Sequence, residues 1–157
     1  MKELDYFGYS VSVFGGWAIV GAPYSNNMKG RAYLYKRVLG AWDYRQTIQA
    51  SDGSGGDYFG GSVSINEKIV VIGAPHKDNG NGPYSGAVYL FTLPGENGDQ
   101  KLQGETWTEY KELTTSDMTS YDFFGYSVDI SGDTLLVGAD GKDGRTGAAY
   151  VFVHLLE

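Results

Sequence analysis

Short segments of the chain alternate between apolar and polar residues. Tyr9, Val11 and Val13 alternate with Ser10 and Ser12, the period-two pattern of a strand whose two faces differ. Residues 17–20, 69–72 and 134–137 are short apolar runs rich in β-branched side chains, which predicts strands covered on both faces. Gly15-Gly16 and Gly132-Asp133 separate the two kinds of segment and predict tight hairpins. No stretch carries a 3.6-residue apolar period. The prediction is an all-β chain.

These segments recur. The first copy reads Asp5-Tyr6-Phe7-Gly8-Tyr9-Ser10-Val11, then Gly21-Ala22-Pro23, then Gly30-Arg31-Ala32-Tyr33. The second reads Asp57-Tyr58-Phe59-Gly60-Gly61-Ser62-Val63, then Gly73-Ala74-Pro75, then Gly86-Ala87-Val88-Tyr89. The third reads Asp122-Phe123-Phe124-Gly125-Tyr126-Ser127-Val128, then Gly138-Ala139-Asp140, then Gly147-Ala148-Ala149-Tyr150. From the Phe of Phe-Gly to the Gly of Gly-Ala the distance is 14 residues in every copy, whereas the pitch between copies is 52 and then 65. Constant spacing inside a unit and variable spacing outside it mark true repeats. A fourth strand is visible twice, at Trp42 to Ile48 and Trp107 to Leu113, each Trp standing 17 residues before the next Phe-Gly phenylalanine.

Four antiparallel strands in roughly 50 residues is the arithmetic of a β-propeller blade. One such sheet cannot bury both its faces, so blades stack and cover each other. Phe-Gly followed by Gly-Ala-Pro at this spacing resembles the FG-GAP repeat, the unit of the integrin α-subunit propeller and of many bacterial and algal surface proteins. The third copy departs from the pattern at Asp140, where Pro would stand. The resemblance implies that the Phe-Gly strand lies nearest the propeller axis and the Trp-bearing strand outermost. It also implies an extracellular or cell-surface location and a role in adhesion. The expected organisation is one partial propeller over 1–157, with blades at about 5–50, 57–115 and 122–154, the third lacking its outer strand.

The motif residues have a packing explanation. Gly8, Gly21, Gly60, Gly73, Gly125 and Gly138 remove a Cβ where backbone must approach backbone. Phe7, Phe59 and Phe124, with Pro23 and Pro75, are expected between blades, each buried aromatic worth roughly 1.5–3 kcal/mol. Trp42 and Trp107 are expected to pack likewise, with ligand stacking as the other reading for both. Asp5, Asp57 and Asp122, two residues before each such Phe, are expected to accept bonds from nearby backbone N–H groups.

Composition narrows the function. The 157 residues carry 12 basic and 19 acidic side chains, net −7, which disfavours nucleic acid and anionic membrane surfaces. No run is long and apolar enough for membrane insertion, and the polar opening gives no expectation of a signal peptide within this chain. Cysteine is absent and histidine occurs twice, so thiol chemistry is excluded. Neither His76 nor His154 stands in a nucleophile motif, and Gly-x-Ser-x-Gly does not occur. No catalytic residue is expected.

Calcium is the cofactor to weigh, although none is the expectation. The hairpin turns are too short and too poor in carboxylates for six to eight oxygens. Candidates in the loops from second to third strand are Asp78, Asn79 and Asn81 in one copy and Asp140 and Asp143 in another, though turns use the same residues. Asp52 beside Asp57 is a further metal reading.

The leading expectation is a non-catalytic binding or adhesion module with a protein or glycan ligand. A carbohydrate-binding or carbohydrate-cleaving propeller and a structural spacer are the alternatives. Recognition is expected in the variable loops 24–29, 76–84 and 94–104, where Tyr24 and Tyr84, with Trp107, offer aromatic surfaces. Three blades leave two apolar faces, so self-association or further blades are expected to complete the ring.

Overall fold

Each repeat folds into its own antiparallel sheet. A computed structural model describes residues 4–93 and 106–156, so loop 94–104 lies outside the described residues. The first sheet has strands β1 (Ser10–Phe14), β2 (Trp17–Ala22), β3 (Arg31–Val38) and β4 (Ala41–Ile48), paired in that order. The second has β5 (Ser62–Ile65), β6 (Ile69–Ala74), β7 (Ala87–Thr92) and β8 (Thr108–Leu113). The third has β9 (Phe124–Ser131), β10 (Thr134–Ala139) and β11 (Ala148–Phe152), three strands among the described residues. The fold is therefore all-β and blade-like, as the repeats predict. Phe14 pairs with Trp17 across Gly15-Gly16, and Ser131 with Thr134 across Gly132-Asp133, giving the expected two-residue hairpins.

Two four-residue helical segments, α1 (Ser25–Met28) and α2 (Lys142–Arg145), interrupt the otherwise β chain. Asn26, Asn27, Asp143 and Gly144 in them are left-handed, with φ between 52° and 68°. They are single turns built on residues that tolerate that region, and so carry no apolar period to read.

Consecutive sheets are joined by the repeat motif itself. Phe59 forms a parallel bridge to Gly30, and Phe124 one to Gly86. Ser10 donates to the Gly60 carbonyl at 2.8 Å, and Ser62 to the Gly125 carbonyl at 2.7 Å. Those carbonyls lie directly over Gly21 and Gly73, where a methyl group would overlap them. The Phe-Gly step of one repeat thus seats on the Gly-Ala-Pro glycine of the repeat before it.

The core is two layers, one per joint. Ile19 and Leu34 meet Phe59, Ile65 and Ile72 in the first. Val71 and Leu90 meet Phe124, Leu135 and Val137 in the second. The middle sheet is covered on both sides, and every residue of β5, β6 and β7 is buried. β2 and β10 are not so covered: β10 alternates between buried and open positions. Strands covered on both faces are thus found at 69–72 but not at 17–20 or 134–137, because each outer sheet has one neighbour among the described residues. For the same reason Phe59 and Phe124 are buried while Phe7 is 38% exposed, so the packing expected for Phe7 is only partly formed.

Candidate functional site

One end of the sheets gathers aromatic rings from all three repeats. Tyr6, Tyr58 and Phe123 precede the Phe-Gly step, and each holds φ between 53° and 58°. That left-handed turn throws the side chain away from the joint toward the loops after β2, β6 and β10. Tyr6 lies 4.3 Å from Tyr24 between ring centroids, Tyr24 4.9 Å from Tyr58, and Tyr58 4.3 Å from His76. His76 continues to Tyr84 at 4.9 Å and to Phe123 at 5.3 Å, and Tyr84 to Tyr121 at 5.3 Å. The Tyr58 hydroxyl donates to the Met28 sulfur at 3.1 Å. The rings form a continuous band across the repeats, each contact of the kind worth about 0.5–1.5 kcal/mol beyond burial.

A cleft of about 160 Å³ opens in this band. Its cause is a single departure between repeats: Tyr9 and Tyr126 follow the Phe-Gly step in the outer copies, but Gly61 does in the middle one. Pro23, Pro75 and Gly61 line the cleft together with Tyr9, Tyr24, Tyr58, His76 and Tyr126. Burial pushes the His76 imidazole below its ordinary value, so it is neutral at neutral pH. Burial, with Tyr24 alongside, raises the Tyr58 phenol. The lining therefore carries no formal charge, only ring faces and groups that both donate and accept hydrogen bonds.

The sequence candidates separate on this geometry. Tyr24 lines the cleft, half-buried, and Tyr84 belongs to the exposed band. Trp107 does not: it is 1% exposed and meets Trp17 edge-on at 5.6 Å. Its backbone N–H and carbonyl are held by the Gln46 side chain at 2.8 and 2.7 Å. The stacking role considered for Trp107 is corrected to packing, because the first sheet covers it. Trp42, at the matching position in the first sheet, which no other sheet precedes among the described residues, is 45% exposed.

Asp52, Asp57, Asp78 and Asp122 are committed to the backbone or to lysine. Asp78 accepts from Gly80 N–H, while Asn79 Oδ1 accepts from Asn81 N–H and Ser85 Oγ. Asn79 Nδ2 donates to the Gly86 carbonyl at 2.6 Å. Asp140 and Asp143 are exposed on the α2 side of the band. Asp57 accepts from Ser54 N–H, and Asp122 from Thr119 N–H, both at 2.7 Å, the strand-entry role expected of them. Among the described residues no three His, Asp or Glu side chains gather as a metal site would. His154 and Asp133 meet at 3.9 Å at the hairpin end, both exposed.

Sequence reasoning missed two buried lysines. Lys77 stands 2.7 Å from Asp52 and 3.9 Å from Asp57. Lys142 stands 3.0 Å from Asp122 and 3.7 Å from Asp117, and donates to the Asp117 carbonyl. Tyr89 and Tyr150 complete the two networks with bonds of 2.8 and 2.9 Å to Asp52 and Asp117. An ammonium group occupies the place between Asp52 and Asp57 where a metal was considered. The first repeat has Ser25 at the corresponding position.

The networks set a pH window. Burial raises the Asp52 carboxyl, but hydrogen bonds from Lys77 and Tyr89 outweigh it, and the net shift is downward. Asp117 is lowered by hydrogen bonds from Thr115 and Tyr150. Their contributions are present above the ordinary carboxylate value near pH 4 and are lost as pH falls through the folded values. Lys142 is raised by its bond to Asp122, and Tyr89 by burial and its bond to Asp52. Those contributions are present below about pH 10 and are lost as pH rises through the raised values. Urea midpoints are expected to fall below about pH 4 and above about pH 10, while between these limits the burial-lowered His76 imidazole and the burial-raised Glu112 carboxyl add slopes of opposite sign. A midpoint unchanged down to pH 2 would contradict the assignment.

No helix among the described residues is long and apolar enough to cross a membrane. A family model described as FG-GAP repeat matches residues 2–35, 42–91 and 107–152, most of the chain. No curated protein matches it at a significant level.

Proposed function

This chain belongs to the FG-GAP repeat family, and from that premise we propose that it is a non-catalytic binding or adhesion module of an extracellular or cell-surface protein. The sheets act as a rigid mount and the aromatic band as the recognition surface. The observation that carries this reading is the neutral cleft opened at Gly61 between Tyr9 and Tyr126. Concave sites of mainly apolar lining with a few convergent polar groups are the usual form of binding sites. On this reading the module binds without turnover and without a resident metal.

The ligand is a protein or a glycan. Charge neutrality favours the glycan within that choice: phenol faces suit the C–H face of a pyranose, and phenol and imidazole edges suit its hydroxyls, whereas a charged ligand would meet no counter-charge.

The test is binding of the purified chain to arrayed neutral oligosaccharides and to immobilised surface proteins, with and without a calcium chelator. At least one binder is expected, weakened about thirtyfold by Tyr24→Ala, as for a central aromatic anchor, and indifferent to chelation. Binding unaffected by Tyr9→Ala, Tyr24→Ala and Tyr126→Ala would overturn the assignment of the rim. Cleavage of a bound oligosaccharide would overturn the non-catalytic reading.

A further inference from the structure

The neutral cleft recurs one repeat further along the rim. Tyr24, Tyr58, Pro75 and His76 are among the residues that wall the first cleft. Moved on by one repeat, those positions become His76, Phe123, Asp140 and Gly141. These line a second cleft of about 470 Å³ together with Tyr126 and Arg145. His76 and Tyr126 belong to both clefts, so the two openings adjoin across a shared wall.

The second cleft differs in chemistry. After Gly-Ala the first two repeats have Pro-Tyr and Pro-His, whereas the third has Asp140-Gly141. A ring at position 141 is excluded, because the Tyr121 carbonyl stands where its Cβ would go. A carboxylate therefore replaces the proline, and the ring beside it is missing. Arg145 brings the opposite charge. It holds φ of 75° at the turn where Met28 and Tyr84 hold 59° and 58°. Those two side chains lie on the rim, Met28 against Tyr58 and Tyr84 against His76. Asp140 and Arg145 are both exposed at this opening, and among the described residues no ion pair joins them.

A carboxylate accepts two hydrogen bonds side by side, and a guanidinium donates two in a fork. Neighbouring hydroxyls on a sugar ring both donate and accept, so they satisfy the two groups without adding charge. Size points the same way. The first cleft, at about 160 Å³, is smaller than the roughly 300–1,000 Å³ of usual small-molecule sites, and its neighbour falls within that range. We propose that the two clefts are consecutive subsites for a neutral oligosaccharide. One sugar unit lies on the rings around Tyr24, and the next places vicinal hydroxyls between Asp140 and Arg145. The inference rests on the glycan reading of the rim and deepens it, since the ligand becomes at least two linked units.

The test titrates the full chain with glucose, galactose and mannose, with a disaccharide of each, and with disaccharides methylated on the hydroxyls of one unit, followed by nuclear magnetic resonance. At least one disaccharide is expected to bind about tenfold or more tighter than its monosaccharide, as for hydrogen bonds to charged groups, and to lose that gain on methylation. Asp140→Ala and Arg145→Met are each expected to weaken the disaccharide about tenfold. Both positions are exposed, and Met28 already adopts the Arg145 turn in the first repeat, so both variants are expected to keep the parent β spectrum. Tyr24→Ala is expected to weaken monosaccharide and disaccharide alike. Equal affinity for one unit and two, or Asp140 and Arg145 variants that lower both by one factor, would overturn the second subsite and leave the glycan reading standing. Binding of none of these sugars would overturn both. An acidic sugar that binds tighter to Asp140→Ala and is lost in Arg145→Met would overturn the neutral ligand.

Discussion

Gly73→Ala is expected to destabilise the chain by about 4 kcal/mol or more, the range in which a single substitution breaks a buried backbone contact. The methyl group would overlap the Gly125 carbonyl, a backbone atom, and the Ser62 hydroxyl that donates to it. Neither can move alone. Gly125 is fixed by the Phe124 bridge to Gly86, and the Gly73 carbonyl accepts from Gly60 N–H at 3.0 Å. Relief would require the second and third sheets to part. Gly16→Ala is the control, since nothing lies within 4 Å of a methyl group there, and its effect is expected to stay within about 0.5 kcal/mol. Urea denaturation of both variants checks the contrast. A cost at Gly73 as small as that at Gly16 would show that the glycine is not where the repeats touch.

Phe124→Ala is expected to cost about 3–5 kcal/mol, as for a large aromatic removed from a core. The ring is fully buried and meets Tyr150 and Phe152 edge-on at 5.4 and 6.1 Å, and it belongs to the layer formed with Val71 and Leu90. The collapse needed to fill its space is opposed by the backbone bridge at its own Cα. Phe7 has the same place in the repeat, but among the described residues no sheet precedes its own. Phe7→Ala is expected to cost well under half as much. Equal losses at the two positions would contradict an assignment that gives Phe124 its value through the preceding sheet. The check is equilibrium unfolding at matched low concentration.

Strands and hairpins were legible because their signals are local. Alternation at Tyr9 to Val13 and the fixed 14-residue interval report on backbone geometry that each repeat must satisfy by itself. Which copy of a repeated residue is buried was not legible. Trp42 and Trp107 occupy one position in the repeat yet differ completely in exposure, since their cover comes from a neighbouring sheet and not from their own sequence. Lys77 and Lys142 were missed for a related reason: a lysine in a loop rich in Asp, Asn and Gly reads as a solvated charge. The available signal was positional, each lysine lying four residues after the Gly-Ala glycine, and Asp52 and Asp117 five residues before Asp57 and Asp122.

The aromatic rim was only half legible. Tyr24 and Tyr84 stand in loops and could be picked out as aromatic. Tyr9 and Tyr126 lie just after the Phe-Gly step, where the repeat pattern suggests packing, and the cleft between them arises from a side chain that the middle repeat lacks. A glycine that breaks a tyrosine repeat is a weak signal in one copy. It gains meaning once Pro23 and Pro75 are seen to line the same opening. The left-handed turns at Tyr6, Tyr58 and Phe123 connect scaffold and rim, because the conformation that seats each Phe-Gly step also aims the preceding ring outward.

Thiol labelling at Val63 tests the account most directly, because the chain contains no cysteine and one introduced thiol reports without background. Val63 lies on β5 and is buried in the layer it shares with Ile19 and Leu34 of the first sheet. The account predicts that Val63→Cys reacts only at the rate of global unfolding, while Asp43→Cys, at an exposed position on β4, reacts at once. A thiol at position 63 that labels as fast as one at position 43 in the folded chain would mean that the first sheet does not shelter the second.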